Sequence, residues 1–359
     1  MAEDTRDVRQ SDELDGAALS RYLREQLPRV ERFARRFTTS AWPEMVLRQF
    51  PGGYSNLTYL LQFGNVGLVL RRPPAGPVPS HAHDMAREYR WLAALNPLFP
   101  LAPEPFLLCE DLDIIGSVFY VMERREGLVV RADEPEALRT QPALRQRIGE
   151  ALVDTLAQLH RVNVAVPPLS VLGKPRGFVM RQINGWGERW AQAKTEEVPD
   201  VDTLVAWLRT HVPEEVAPAV VHGDFKLDNV VLDRQDITRV VGVLDWEMCA
   251  LGDPLVDLGM LLVYWVHAAA SGARDSWATV TGRAGWLGRD AILERYGAAS
   301  GRNLENIGFY EQFALFKLAV ILQQLYLRHV RGQTDDARLA HLGERVFGLA
   351  RYALTLTAR

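Results

Sequence analysis

Residues 222–229 read HGDFKLDN, with apolar residues on both sides: Val220 and Val221 before, Val230, Val231 and Leu232 after. A second apolar run, VVGVL from Val240 to Leu244, leads into Asp245 and the stretch DWEMCALGDPLVD. Asp and Asn favour turns, so GD or DN alone would mean little. The combination means more. Asp224 and Asp245 each follow a strand-like run, and Asn229 lies five residues past the first carboxylate. Oxygen ligands presented from strand ends suit Mg²⁺, which takes a few hard side-chain oxygens and fills its remaining positions with phosphate and water.

His222, Asp224, Lys226 two residues on, Asn229 five residues on, and then an Asp after a strand reproduce the layout of a kinase catalytic loop with its metal-binding Asp. On HGDFKLDN and LDWEMCALGDPLVD the chain resembles the aminoglycoside/choline phosphotransferases of the kinase-like fold. GGYSNLTYLL, VLRRPP, AREYRWL, FYVMERREG and RQINGW make it most similar to the branch whose domains accompany acyl-CoA dehydrogenases. The resemblance implies an α+β, two-lobed protein-kinase-like fold. Its small antiparallel-sheet N-lobe would carry one key helix, and its larger C-lobe would be mainly helical, with nucleotide held between the lobes.

Site roles follow from the same resemblance. Asp224 would accept or position the substrate hydroxyl proton, Lys226 would face the transferring phosphoryl group, and Asn229 and Asp245 would hold Mg²⁺ on the ATP phosphates. His222 would pack beneath the loop, and Asp253 and Asp257 would brace it. A kinase-like N-lobe also pairs a strand cation with a helix carboxylate, here Arg71 and Glu88. Arg72 competes with Arg71, because a strand's side chains alternate between faces and VLRR does not say which faces inward. Backbone around Glu123 and Arg124 would hydrogen-bond the adenine. Gly52, Gly53 and Ser55, in a turn between two strand-like runs, would let amides and a hydroxyl approach a phosphate. No GK[ST] follows, so this is not a Walker A loop.

Hydrophobic periodicity divides the 359 residues into a charged, disordered tail over 1–18, an N-lobe over 19–125, nucleotide-binding by the resemblance, and a C-lobe over 126–359. In the N-lobe, strands are expected at 45–50, 57–63, 66–71, 106–111 and 117–123, with a helix at 85–95. Beyond it helical spacing dominates, beginning with 144–162, and short strands surround the opening motif. The apolar run over 258–270 is too short to span a bilayer and is expected as a buried helix.

Bulk properties narrow the function. A net charge of −4 lacks the basic field that nucleic acid or anionic membranes attract. Two cysteines are too few for a disulfide framework or thiolate cluster. With no apolar leader in MAEDTRDVRQSDELDG, the expected location is cytoplasmic.

Between Asp245 and Asp257 there is no Ser, Thr or Tyr, so the activation segment of a regulated protein kinase is missing and a small-molecule acceptor is favoured. RGFVMRQINGWGERW offers Arg176, Arg181 and Arg189 among Phe178, Trp186 and Trp190, suited either to an anionic, partly apolar acceptor or to a solvated basic helix face. The stripe Phe313, Phe316, Val320, Leu327 is expected in the core. The expectation is an ATP- and Mg²⁺-dependent phosphotransferase acting on a small-molecule hydroxyl, with a hydroxyacyl-CoA as the acceptor the branch suggests. The alternatives are aminoglycoside O-phosphorylation and a non-catalytic nucleotide- or acyl-CoA-binding module.

Overall fold

A computed structural model describes residues 4–37, 42–51, 56–74, 84–131, 134–267, 280–334 and 336–357. The chain divides into two compact units, one of residues 1–126 with 241–247, the other of residues 127–240 with 248–359. The return of 241–247 to the first unit departs from the expected simple split at residue 125.

The first unit is built on α1 (Gly16–Gln26) and a five-stranded antiparallel sheet of β1 (Met45–Gln49), β2 (Leu57–Phe63), β3 (Val66–Arg72), β4 (Pro105–Cys109) and β5 (Phe119–Glu123). α2 (Met85–Leu95) lies between β3 and β4 in sequence, and the sheet order is β1-β2-β3-β5-β4. Leu19, Leu23 and Leu27, four residues apart, pack with Tyr59, Leu61 and Phe63 of β2, Leu68 and Leu70 of β3, and Phe119 and Val121 of β5. These sheet residues alternate, so one face holds this core and residues 69 and 71 belong to the other.

Residues 4–18 of the expected disordered tail make their own contacts with the sheet. Arg6 and Gln49 exchange backbone hydrogen bonds at 2.8 Å, and the buried Asp12 accepts from Gln49 Nε2 at 2.8 Å. An edge strand with unpaired amides gave the N-terminal segment a partner that its own polar sequence did not advertise. The strand expected at 106–111 stops at Cys109, because Asp111 caps a following helical turn by accepting from Asp113 N at 2.9 Å.

The second unit is mainly helical: α3 (Ala143–His160), α4 (Phe178–Ala193), α5 (Pro199–Thr210), α6 (Leu255–Leu262), α7 (Arg289–Ser300), α8 (Ile307–Val330) and α9 (Leu342–Thr357). Short strands β6 (Ala219–Val221), β7 (Val230–Leu232), β8 (Val240–Val243) and β9 (Ala250–Gly252) bracket the motif, β6 pairing antiparallel with β9 and β8 running into the first unit. Every residue of α6 is buried; the expected helix continues only as the π-helical turn Val263–His267, and 268–270 fall outside the described residues. α8 packs against α6, α4 and α9, with Phe313, Phe316 and Val320 fully buried and Leu327 partly so. Among the described residues no helix is long and apolar enough to cross a membrane.

Candidate functional site

In the second unit, β6 delivers the chain into HGDFKLDN. Gly223 sits in the left-handed region at φ +86, and a Cβ there would come within 2.7 Å of Met248 Cβ, so glycine is required on both counts. Asp257, wholly buried at the start of α6, accepts from His222 N at 2.6 Å and Gly223 N at 2.7 Å. His160 Nε2 lies 3.2 Å from the same carboxylate, and its Nδ1 is 2.7 Å from the Tyr296 hydroxyl. A neutral imidazole donating from Nε2 and accepting at Nδ1 satisfies both contacts; burial lowers the His160 value, which favours this form. Burial alone would raise the Asp257 carboxyl, but His160 and the backbone donors pull it down, keeping it an acceptor.

The loop's chemistry gathers on Asp224. Lys226 Nζ lies 2.8 Å from Asp224 Oδ2, and Asn229 Nδ2 donates to Asp224 O at 2.8 Å and to Oδ2 at 3.1 Å. Asn229 thus spends its amide nitrogen on Asp224 and keeps Oδ1 out of those bonds, an oxygen fit for a hard cation. Lys226 also lies over the Tyr264 ring, 4.9 Å from its centroid; burial opposes its charge, but Tyr264, Asp224 and Asp228 hold its ammonium well above the ordinary value. His222 is fully buried and accepts the Asp224 amide on Nδ1 at 3.2 Å. Asp253 accepts from Leu255 N, the first residue of α6, at 2.9 Å and from the Tyr310 hydroxyl at 2.5 Å.

The first unit holds a second cluster. Arg71 NH1 donates to Glu88 Oε1 at 2.7 Å, and its two terminal nitrogens reach Asp245 Oδ1 at 3.2 and 3.1 Å. Glu247 lies 3.5 Å from the same guanidinium, and its Oε2 accepts from Asn56 Nδ2 at 2.8 Å. Burial alone would lower Arg71, but Glu88, then Tyr120, Asp245 and Glu247, raise it well above its usual value. Burial raises the Glu88 carboxyl above its ordinary value, with Arg71 opposing. Arg72 is differently engaged: it pairs with Leu57 on the core face and donates to Tyr59 Oη and to Asp12 O at 2.8 Å. Strand alternation therefore puts Arg71, not Arg72, with the helix carboxylate.

Asp245 has φ +67, a left-handed conformation that Asp tolerates better than most side chains. That turn follows the end of β8 at Val243. Glu123 is buried on the α1 face of the sheet, bonded to Arg36 and Arg125, and its amide donates to Glu104 O at 2.8 Å. Arg124 pairs with Asp4 at 3.1 Å. Gly52, Gly53 and Ser55 lie outside the described residues. Among the described residues, no three His, Cys, Asp or Glu side chains are grouped to hold a metal.

On α4, Phe178, Trp186 and Trp190 are buried, so the expected basic-aromatic stretch is partly core. Arg189 lies 4.4 Å from the Trp186 ring centroid, and Lys317 of α8 lies 5.2 Å from it. Lys317 also donates to Gly223 O. Sequence reasoning passed over His160 and Lys317. A lone lysine inside FALFKLAVIL was the available signal for the second, whereas His160 ends an ordinary amphipathic helix and gave none.

A model of the phosphotransferase enzyme family matches residues 46–292. Acyl-CoA dehydrogenase family member 10 of Mus musculus is 32% identical over 97% of this chain, and member 11 of Homo sapiens 31% identical over 99%. The chain spans only 32% and 45% of those relatives' lengths. A Ralstonia eutropha structure provisionally described as an aminoglycoside phosphotransferase superposes with TM-score 0.78 at 30% identity, covering 96% of this chain and 98% of that one. A mutant aminoglycoside phosphotransferase APH(4)-Ia in complex with ADP and hygromycin B shares the fold at TM-score 0.57 and 17% identity, covering 95% of this chain and 99% of that one. The fold is kinase-like, and with the family model matched over most of its length the chain belongs to the phosphotransferase enzyme family.

Proposed function

We propose that the protein transfers the γ-phosphate of ATP, with Mg²⁺, to a hydroxyl of a small molecule, with a hydroxyacyl-CoA as the acceptor. The observation that carries this is the Asp224 constellation: one carboxylate oxygen 2.8 Å from Lys226 and 3.1 Å from the Asn229 amide, on a loop clamped by Asp257. Asp224 would take up and orient the acceptor hydroxyl, and Lys226 would offset charge developing on the phosphoryl group. Asn229 and Asp245 would hold Mg²⁺, which supplies charge neutralisation on the phosphates when bound. Arg71, kept charged and pinned by Glu88, would reach nucleotide phosphate, and Gly52, Gly53 and Ser55 would cover it. The backbone at Glu123 and Arg124 would meet the adenine, with the Glu123 amide itself already donated to Glu104 O.

The acyl-CoA dehydrogenase names of the relatives support an acyl-CoA acceptor. So does Arg189 on Trp186, since a cation suits an anionic acceptor and repels a polycationic aminoglycoside. The enzyme would work in a reducing cytoplasm, where the buried Cys109 and Cys249 remain thiols.

ADP release from ATP, with and without Mg²⁺, is the test across a panel of hydroxyacyl-CoAs, aminoglycosides, choline and hydroxylated amino acids. A metal-dependent rise with hydroxyacyl-CoAs is expected; turnover confined to aminoglycosides would replace the acceptor, and silence across the panel would sink the enzymatic reading. A companion measurement separates the metal ligand from the base. Asp245→Ala is expected to remove most of the Mg²⁺-dependent gain in ATP affinity seen by calorimetry, leaving the metal-free affinity near wild type. An unchanged metal dependence would remove Asp245 from the cation site.

A further inference from the structure

Lys317 is 2% exposed, and among the described residues no carboxylate lies within ion-pair distance of it. A buried ammonium with no carboxylate in direct contact is costly, so a lysine kept at the centre of an apolar helix calls for a compensating role. Its bonding shows where that role lies. Nζ donates to the carbonyl of Gly223, the central residue of HGD, and rests against the Trp186 ring at 5.2 Å.

The Gly223 carbonyl and the Asp224 amide belong to one planar peptide group and point in opposite directions. Lys317 holds the carbonyl end, and His222 Nδ1 holds the amide end at 3.2 Å. The two preceding amides, of His222 and Gly223, are both taken by Asp257. A buried cation on α8 and a buried anion on α6 therefore grip successive peptides of the same left-handed turn from 94 and 34 residues away in sequence.

We propose that Lys317 is a positioning residue for phosphoryl transfer, fixing the Gly223–Asp224 peptide plane and so the backbone from which the Asp224 carboxylate acts. The inference rests on the proposed role of Asp224. It adds an electrostatic consequence: Asp224 and Lys226 on the loop, Asp257 on α6 and Arg189 on α4 are the charged groups acting on Lys317. Burial, partly countered by Asp224 and Asp257, brings the Lys317 ammonium down to about 8, so it gives up its proton within an accessible pH range. The clamp is charged below that pH and weakens above it, so the turnover number falls as pH climbs through about 8.

The full chain with Lys317→Met and Lys317→Arg tests this, read as ADP release from MgATP and as hydrogen exchange of the segment 220–228. Losing a hydrogen bond from a charged donor predicts a kcat about 10- to 100-fold lower in Lys317→Met, with KM for ATP changed by less than about twofold. Exchange of the segment quickens at least about tenfold, and thermal unfolding under the assay conditions identifies any loss caused by a denatured fraction. Lys317→Arg recovers part of kcat, and its alkaline limb moves upward because a guanidinium keeps its charge. A Lys317→Met enzyme with kcat within twofold of wild type, or with unaltered exchange over 220–228, overturns the positioning role. Should wild type release no ADP at all, the phosphotransferase reading fails by itself while the exchange measurement still decides the clamp.

Discussion

Asp224→Asn lowers the rate of phosphoryl transfer by about 10²–10⁴-fold, the span that a positioned acid–base group contributes. The substitution keeps the side chain's size but removes the charge that Lys226 meets at 2.8 Å and leaves one oxygen instead of two to accept from Asn229. The loop backbone should persist, because Asp257 holds it through the amides of His222 and Gly223 rather than through the Asp224 carboxylate. ATP affinity is therefore expected to stay within a few-fold of wild type, so the loss falls in kcat with KM for ATP little altered. Rapid-quench measurement of the first turnover is the decisive check, since slow product release would hide part of the chemical step at steady state. A variant that retains a tenth or more of the wild-type chemical rate would assign the proton transfer elsewhere.

Arg71→Met destabilises the first unit by about 3–5 kcal/mol, the usual cost of leaving one partner of a buried ion pair without the other. Glu88 is 1% exposed and would lose its 2.7 Å partner, while Asp245 and Glu247 would lose the guanidinium between them. The double variant Arg71→Met/Glu88→Met should regain most of this stability, because a well-packed apolar pair can replace a buried ionic one. On the phosphate-binding role proposed for Arg71, ATP affinity should not recover with it. Urea unfolding followed through α2 and β3, together with calorimetric ATP binding, separates the two effects. Equal losses of stability in the single and double variants would show that the guanidinium's bonds to Asp245 and Glu247 outweigh the Glu88 pair.

Local patterning carried most of the first unit's secondary structure. β2 is observed at the bounds its alternation and turn residues imply, and α2 at those of its helical spacing. The segment before α1 was misleading because its order comes from an edge strand 40 residues away, which no local pattern encodes. Register was similarly hidden in VLRR. Either arginine fits a strand, and the choice depends on which sheet face the apolar residues of α1 cover.

The HGDFKLDN loop shows the same division. From the order of residues alone, HGDFKLDN and LDWE specified the side-chain types of a phosphotransferase and their spacing, because Asp224, Lys226 and Asn229 lie within one turn-sized stretch whose short-range bonds the chain itself ensures. Only the tertiary structure decided how that stretch is held, because Asp257 and Lys317 come from distant helices. Short-range chemistry is written along the chain. A buried charge has its role set by the partner it meets, and that meeting exists only once the helices have packed.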